Sequence, residues 1–139
     1  MNPQFQWSKV YELGCDSIDQ QHQYLFSLGN QLKHVDIEAS KVLVQILLQY
    51  CRVHFKQEEQ HMAQSDYPEL FSHQKLHKAI LRDLNNMARN GIEDLESLAQ
   101  LREFFLNWLS VHVLQDDLHY VNYYNDRQNI SNKKSSFKN

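Results

Sequence analysis

The sequence predicts an all-α protein, an up-down-up-down four-helix bundle behind an N-terminal arm. Four stretches of roughly 20 residues carry apolar side chains on a three-four rhythm, and short breaks rich in turn residues separate them. Two prolines and three glycines in 139 residues leave few places where a helix must end. The net charge of −3 gives no basic footprint for nucleic acid or for an anionic membrane surface. No stretch approaches the roughly 18 apolar residues of a membrane span, and MNPQFQWSKV lacks a basic segment followed by an apolar run. A cytoplasmic protein with no nucleic-acid or membrane partner is expected. Cys15 and Cys51 form neither a CxxC motif nor a disulfide framework, so both are expected as thiols.

Residues 1–17 hold Phe5, Trp7, Val10, Tyr11 and Leu13 without a sustained helical period and read as an arm packed on the body, closed by Gly14. Asp16 or Ser17 is placed to cap a first helix, whose stripe runs Ile18, Leu25, Gly29, Leu32 with His22 inside it. After a link over 36–40, a second helix over about 41–64 steps through Val44, Leu47, Cys51, His54 and Glu58. Ser65, Asp66 and Pro68 break it. The third helix, about 69–89, carries Leu70, His73, His77, Ile80, Leu84 and Met87 and ends at Asn90-Gly91 in the manner of a left-handed C-cap. The fourth, about 93–120, carries Leu98, Leu101, Phe105, Trp108 and His112. The bundle is thus expected over 1–124, and 125–139, polar and mildly basic, as a frayed tail.

The chemistry follows from where the polar residues fall. Residues four apart on a helix differ in direction by only about 40°, so His54 stands over Glu58 and His73 over His77. His22, His54, His73, His77 and His112 all lie on inward seams, joined by Glu58. Five imidazoles in one apolar core are costly unless something satisfies them, and a metal cluster does so. Imidazole with carboxylate suits iron, zinc, copper or nickel, leaving the metal open. A second carboxylate is expected from the fourth helix. Periodicity favours Asp116, four residues after His112, over Asp117, five after and about 140° away. Glu59 turns off the ligand face and reads as solvated; His34, His61 and His119 read as surface residues, and Cys51 as a small buried filler.

Four segments then carry a resemblance: W-S-(x)9-IDxQHxxLF from Trp7 to Phe26, HFxxEExxM from His54 to Met62, YPxxxxHxxxH from Tyr67 to His77, and WLxxHVxxxD from Trp108 to Asp117. Together, in this order and spacing over about 5–120, they resemble the hemerythrin family in its bacterial single-domain form. The resemblance implies two non-haem iron ions (Fe2+/Fe3+) in the bundle core with a bridging oxo or hydroxo group. His73, His77 and His112 would hold one iron and His22 and His54 the other, with Glu58 and Asp117 bridging. It thereby selects Asp117, and the helix must tighten, widen or bend near 113–117 to present it.

The implied function is reversible dioxygen binding (carriage, storage or delivery) rather than enzymatic catalysis. Leu25, Phe55, Trp108 and Leu109 would wall the oxygen pocket, and Tyr120 would stand near a bridging carboxylate. Asp19 and Gln21 belong to the motif around His22, whose ring needs a partner for its second nitrogen. The same site can serve a di-iron peroxidase, a nitric-oxide-handling protein or an oxygen or iron sensor; a sensor is expected to carry an output domain, for which 139 residues leave no room. A ferritin-like reading leaves the seam histidines unexplained, and a single tetrahedral zinc needs fewer ligands than seven.

Overall fold

A computed structural model describes residues 6–136, with side chains as far as residue 130. After a 3-10 turn at Lys9–Tyr11 come α1 (Asp16–Gln31), α2 (Ile37–Gln64), α3 (Leu70–Arg89) and α4 (Leu95–His112). A π-helical turn, Val113–Asp117, then leads without a break into α5 (Leu118–Ser136). Helices α1 to α4 pack in sequence and α4 closes on α1, so the expected all-helical bundle is found. Among the described residues no helix is long and apolar enough to cross a membrane.

The starts of α1, α2 and α4 have local causes. Cys15 precedes α1 without a side-chain cap; Asp19, one turn in, accepts from the N–H groups of Leu13 (2.8 Å) and Gly14 (3.1 Å) and ties the arm to the helix. This differs from the expected Asp16 or Ser17 cap. Asp36 accepts from Ala39 N–H at 2.8 Å and starts α2 at Ile37, one turn before the apolar rhythm becomes visible at 41. Asp94 and Ser97 form a capping box at α4. Gly91, at φ 93°, supplies the left-handed residue after α3.

In the arm, Tyr11 and Leu13 are buried and Trp7 half-buried, whereas Val10 is exposed; Phe5 lies outside the described residues. One apolar core, with Leu28, Leu47, Leu84, Leu101 and Phe105 among its members, runs through the bundle and takes in Phe55, Leu109 and Val113 beside the polar seam residues. Helices α1 and α4 approach closely at Gly29. A Cβ there would lie 2.6 Å from Leu106 Cδ2 and 3.3 Å from Phe105 Cδ2, both side chains buried. Alanine gains about 1 kcal/mol of helix propensity, but overpacking costs about 1–3 kcal/mol. Gly29→Ala is therefore expected to lower stability by up to about 2 kcal/mol, read as a lower denaturant midpoint at unchanged slope.

Where a frayed tail is expected from 125, the backbone of α5 runs on as helix to Ser136. From Leu118 to Ser136 there is no glycine or proline to stop it, and α5 is tied back to the α2–α3 turn. Tyr123 Oη donates to the carbonyl oxygens of Ser65 (2.8 Å) and Asp66 (3.0 Å). Arg127 donates to Ser65 O (2.6 Å) and Asp66 Oδ2 (3.1 Å). The turn they grip holds Asp66 at φ 56°, a left-handed conformation that aspartate adopts more readily than most residues.

Candidate metal centre

Inside the bundle five helical segments converge: α1 brings His22, α2 His54 and Glu58, α3 His73 and His77, α4 His112 and the π-turn Asp117. All seven side chains are buried. Their donor atoms form two groups, Glu58, His73, His77, His112 and Asp117 in one and His22, His54 and Glu58 in the other, with all atoms of a group within 4.8 Å of one another.

Each carboxylate divides its oxygens between the two histidine groups. Glu58 Oε1 lies 2.7 Å from His73 Nε2 and 3.4 Å from His77 Nε2, while Oε2 lies 3.4 Å from His54 Nε2 and 3.9 Å from His22 Nε2. Asp117 Oδ1 lies 3.1 Å from His73 Nε2 and 3.2 Å from His112 Nε2, while Oδ2 lies 3.0 Å from His22 Nε2. Five Nε2 atoms thus face two bidentate carboxylates. Asp117 reaches this position because Val113–Asp117 is widened into a π turn, in which a five-residue step returns to the same face. Asp116, favoured by a regular period, instead accepts from His112 Nδ1 at 2.9 Å.

The outer nitrogens have their own partners. Glu59 Oε2 accepts from His77 Nδ1 at 2.8 Å, so the solvated role expected of Glu59 is corrected: the residue turns off the α2 seam but toward α3, which packs beside it. Gln21 Oε1 accepts from His54 Nδ1, and its Nε2 donates to Gln57 Oε1 at 2.6 Å. Gln21 therefore serves His54 rather than its neighbour His22. With Nδ1 of His54, His77 and His112 donating outward, each ring would offer Nε2, aimed inward, to a metal.

A profile of the Hemerythrin HHE cation binding domain matches residues 13–124. The chain belongs to the hemerythrin family. It is 29% identical over 128 residues to the bacteriohemerythrin of Clostridium acetobutylicum, covering 84% of this chain and 98% of that protein. The hemerythrin-like protein of Naegleria gruberi is 27% identical over 116 residues, 84% of this chain and 90% of that one. The myohemerythrin of Theromyzon tessulatum is 26% identical over 116 residues, again 84% and 90%. The hemerythrin family binds non-haem iron.

The hemerythrin cluster fits a metal group on its own chemistry. Buried side-chain polar atoms without a hydrogen-bond partner among the described residues are Trp7 Nε1 and five cluster atoms: both ring nitrogens of His22, Glu58 Oε2, and both oxygens of Asp117. Buried polar atoms are otherwise nearly always paired, and imidazole with carboxylate is a donor set that iron accepts.

The surrounding residues are placed unevenly. Phe55 stacks on His77 (4.0 Å between centroids, 6° between planes) and Trp108 on His112 (4.4 Å, 15°), so both cover the three-histidine group. Leu25 and Leu109 are buried and Trp108 half-buried. Tyr120, one turn beyond Asp117, directs its hydroxyl to His61 Nδ1 and to Ser65 Oγ (2.9 Å) rather than to a cluster carboxylate. His61 is accordingly half-buried, while His34 and His119 are exposed as expected; His119 Nδ1 meets Tyr67 Oη at 2.6 Å. Cys51 is fully buried, and burial pushes its thiol up to about 12, which makes it inert at neutral pH.

Without metal, the cluster balances charge internally. Burial alone would lower His22, His73 and His112, but the carboxylates of Asp117 and Glu58, joined by Asp116 at His112, outweigh it; the three rise to about 9, 9 and 10. Burial would raise Glu58, yet the four histidines around it hold it well below the usual carboxylate range. Asp117 is raised by burial and by Glu58 and lowered more strongly by His112 and His22. Because the folded histidine values lie above the ordinary 6.5, their stabilisation is fully present below pH 6.5 and disappears as pH rises through about 9 to 10. The metal-free protein is therefore expected to lose stability as pH rises across that window. Denaturant melts at stepped pH check this, and metal-loaded protein, with its imidazoles held neutral by coordination, is expected to lack the decline.

Proposed function

We propose that this chain binds dioxygen reversibly at a pair of non-haem irons, one held by His73, His77 and His112 and the other by His22 and His54, with Glu58 and Asp117 bridging them. The observation that carries the reading is the division of each carboxylate's oxygens between the two histidine groups. A single ion needs one oxygen from each; two ions side by side use both. The groups are unequal in size, three histidines against two, so with shared bridges the two-histidine ion keeps the coordination position at which a small ligand binds. An iron pair supplies the electrons that reversible dioxygen binding requires.

The chain's own residues then favour binding over cleavage of the O–O bond. Buried carboxyl groups among the described residues are Asp19, occupied by Leu13 and Gly14 N–H, and the two bridging candidates. None is left to deliver a proton to a bound ligand. Leu25, Phe55, Trp108 and Leu109 supply apolar walls that limit water around the irons, which slows loss of the reduced state.

The test is optical and stoichiometric. Iron-loaded protein reduced without air is expected to hold two irons per chain and to gain a visible absorption band on admission of oxygen that vanishes on deoxygenation, through repeated cycles. Irreversible bleaching, or steady consumption of hydrogen peroxide with an added reductant and no reversible band, would favour the peroxidase reading.

A further inference from the structure

The inner faces of the five imidazoles are alike, each presenting Nε2 to a carboxylate, but their outer faces are not. In the three-histidine group, His77 Nδ1 donates to the Glu59 carboxylate at 2.8 Å and His112 Nδ1 to the Asp116 carboxylate at 2.9 Å. In the two-histidine group, His54 Nδ1 donates to the neutral amide oxygen of Gln21, and His22 Nδ1 has no hydrogen-bond partner among the described residues. The Gln21 amide is fixed in this sense because its nitrogen is committed to Gln57 Oε1. Phe55 and Trp108, stacked on His77 and His112, hold those two rings in the plane that meets their carboxylates.

A carboxylate accepting from Nδ1–H pushes electron density through the ring and makes Nε2 a stronger donor to a metal; a neutral amide does this less. Stronger donors favour the higher oxidation state. The side chains of Glu59 and Asp116 are 22% and 36% exposed, so water weakens the effect without removing it. Resting on the iron-pair reading above, we propose that Glu59 and Asp116 are positioning residues which, through His77 and His112, make the iron on the three-histidine side the first of the two to be oxidised, while Gln21, a neutral partner, leaves the two-histidine side to be oxidised second.

Ferricyanide, a one-electron oxidant, is added to reduced, iron-loaded protein at one equivalent per iron pair; one electron leaves the pair and ferricyanide becomes ferrocyanide. In protein labelled with nitrogen-15 histidine, hyperfine couplings to the ferric ion are expected to count three histidines, and a count of two overturns the proposal. Glu59→Gln and Asp116→Asn are each expected to raise the reduced-to-oxidised ratio of the first step about tenfold at a fixed applied potential, which is about 59 mV for one electron. Gln21→Glu is expected to favour oxidation in the second step and leave the first unmoved. Unchanged potentials in variants that retain two irons overturn the assignment, as does a first-step shift in Gln21→Glu equal to theirs. A variant that drops its iron leaves the histidine count on the unmodified protein to decide. Failure of the unmodified protein to take up two irons would instead refute the proposed function, and this inference with it.

Discussion

Glu58→Ala is expected to give a folded helical chain that purifies with almost no iron. The carboxylate belongs to both donor groups, and its two oxygens face four of the five histidines. Removing it takes one donor from each ion at a stroke, so the loss should far exceed the 10–100-fold that removal of an outer partner costs. The fold should survive, because the apolar core, with Leu47, Leu84, Leu101 and Phe105, is left intact. Iron analysis with circular dichroism on the same sample separates the two effects. Retention of two irons per chain by Glu58→Ala would contradict the bridging role. Glu58→Gln, which keeps the shape and one acceptor but loses the charge, should fall between the parent and the alanine variant.

The second large effect is a contrast between neighbours. Asp117→Ala is expected to abolish iron retention, whereas Asp116→Ala should keep both irons with affinity lowered by about 10–100-fold. Asp117 is buried, its Oδ1 close to His73 and His112 and its Oδ2 to His22; Asp116 is half-exposed and accepts from the outer nitrogen of His112. Competition with a coloured chelator measures both. The reverse result, with iron lost from the Asp116 variant and kept by the Asp117 variant, would mean that the helix is regular there in solution.

The bundle and the inward histidines were legible in sequence for one physical reason. Helix periodicity reports which residues share a face, and His22, His54, His73, His77 and His112 sit on faces otherwise apolar. The same rule misled at Asp116 and Asp117, because a π turn suspends the period it relies on, and only the family resemblance pointed past it. Glu59 could not be placed from α2 alone. Its partner belongs to α3, and pairing across helices leaves no trace in the periodicity of either. The length of α5 was hidden for a different reason: its sequence beyond Asn125 is polar and carries no apolar stripe, and the interactions that hold it, from Tyr123 and Arg127, reach a turn some 60 residues earlier in the chain.

The π turn also acts as a phase step. Upstream, the buried stripe runs Leu98, Leu101, Phe105, Leu109, His112; downstream it resumes at Asp117, Tyr120 and Val121, one residue later than an unbroken helix would index it. One residue corresponds to about 100° of rotation. Deleting a single residue within 113–117 would therefore do more than move one carboxylate. It would turn the whole of α5 about its axis, carrying Tyr120 away from His61 and swinging Tyr123 and Arg127 off the α2–α3 turn. Loops elsewhere in the bundle can absorb a change in length, but here the count of residues sets the bearing of everything that follows.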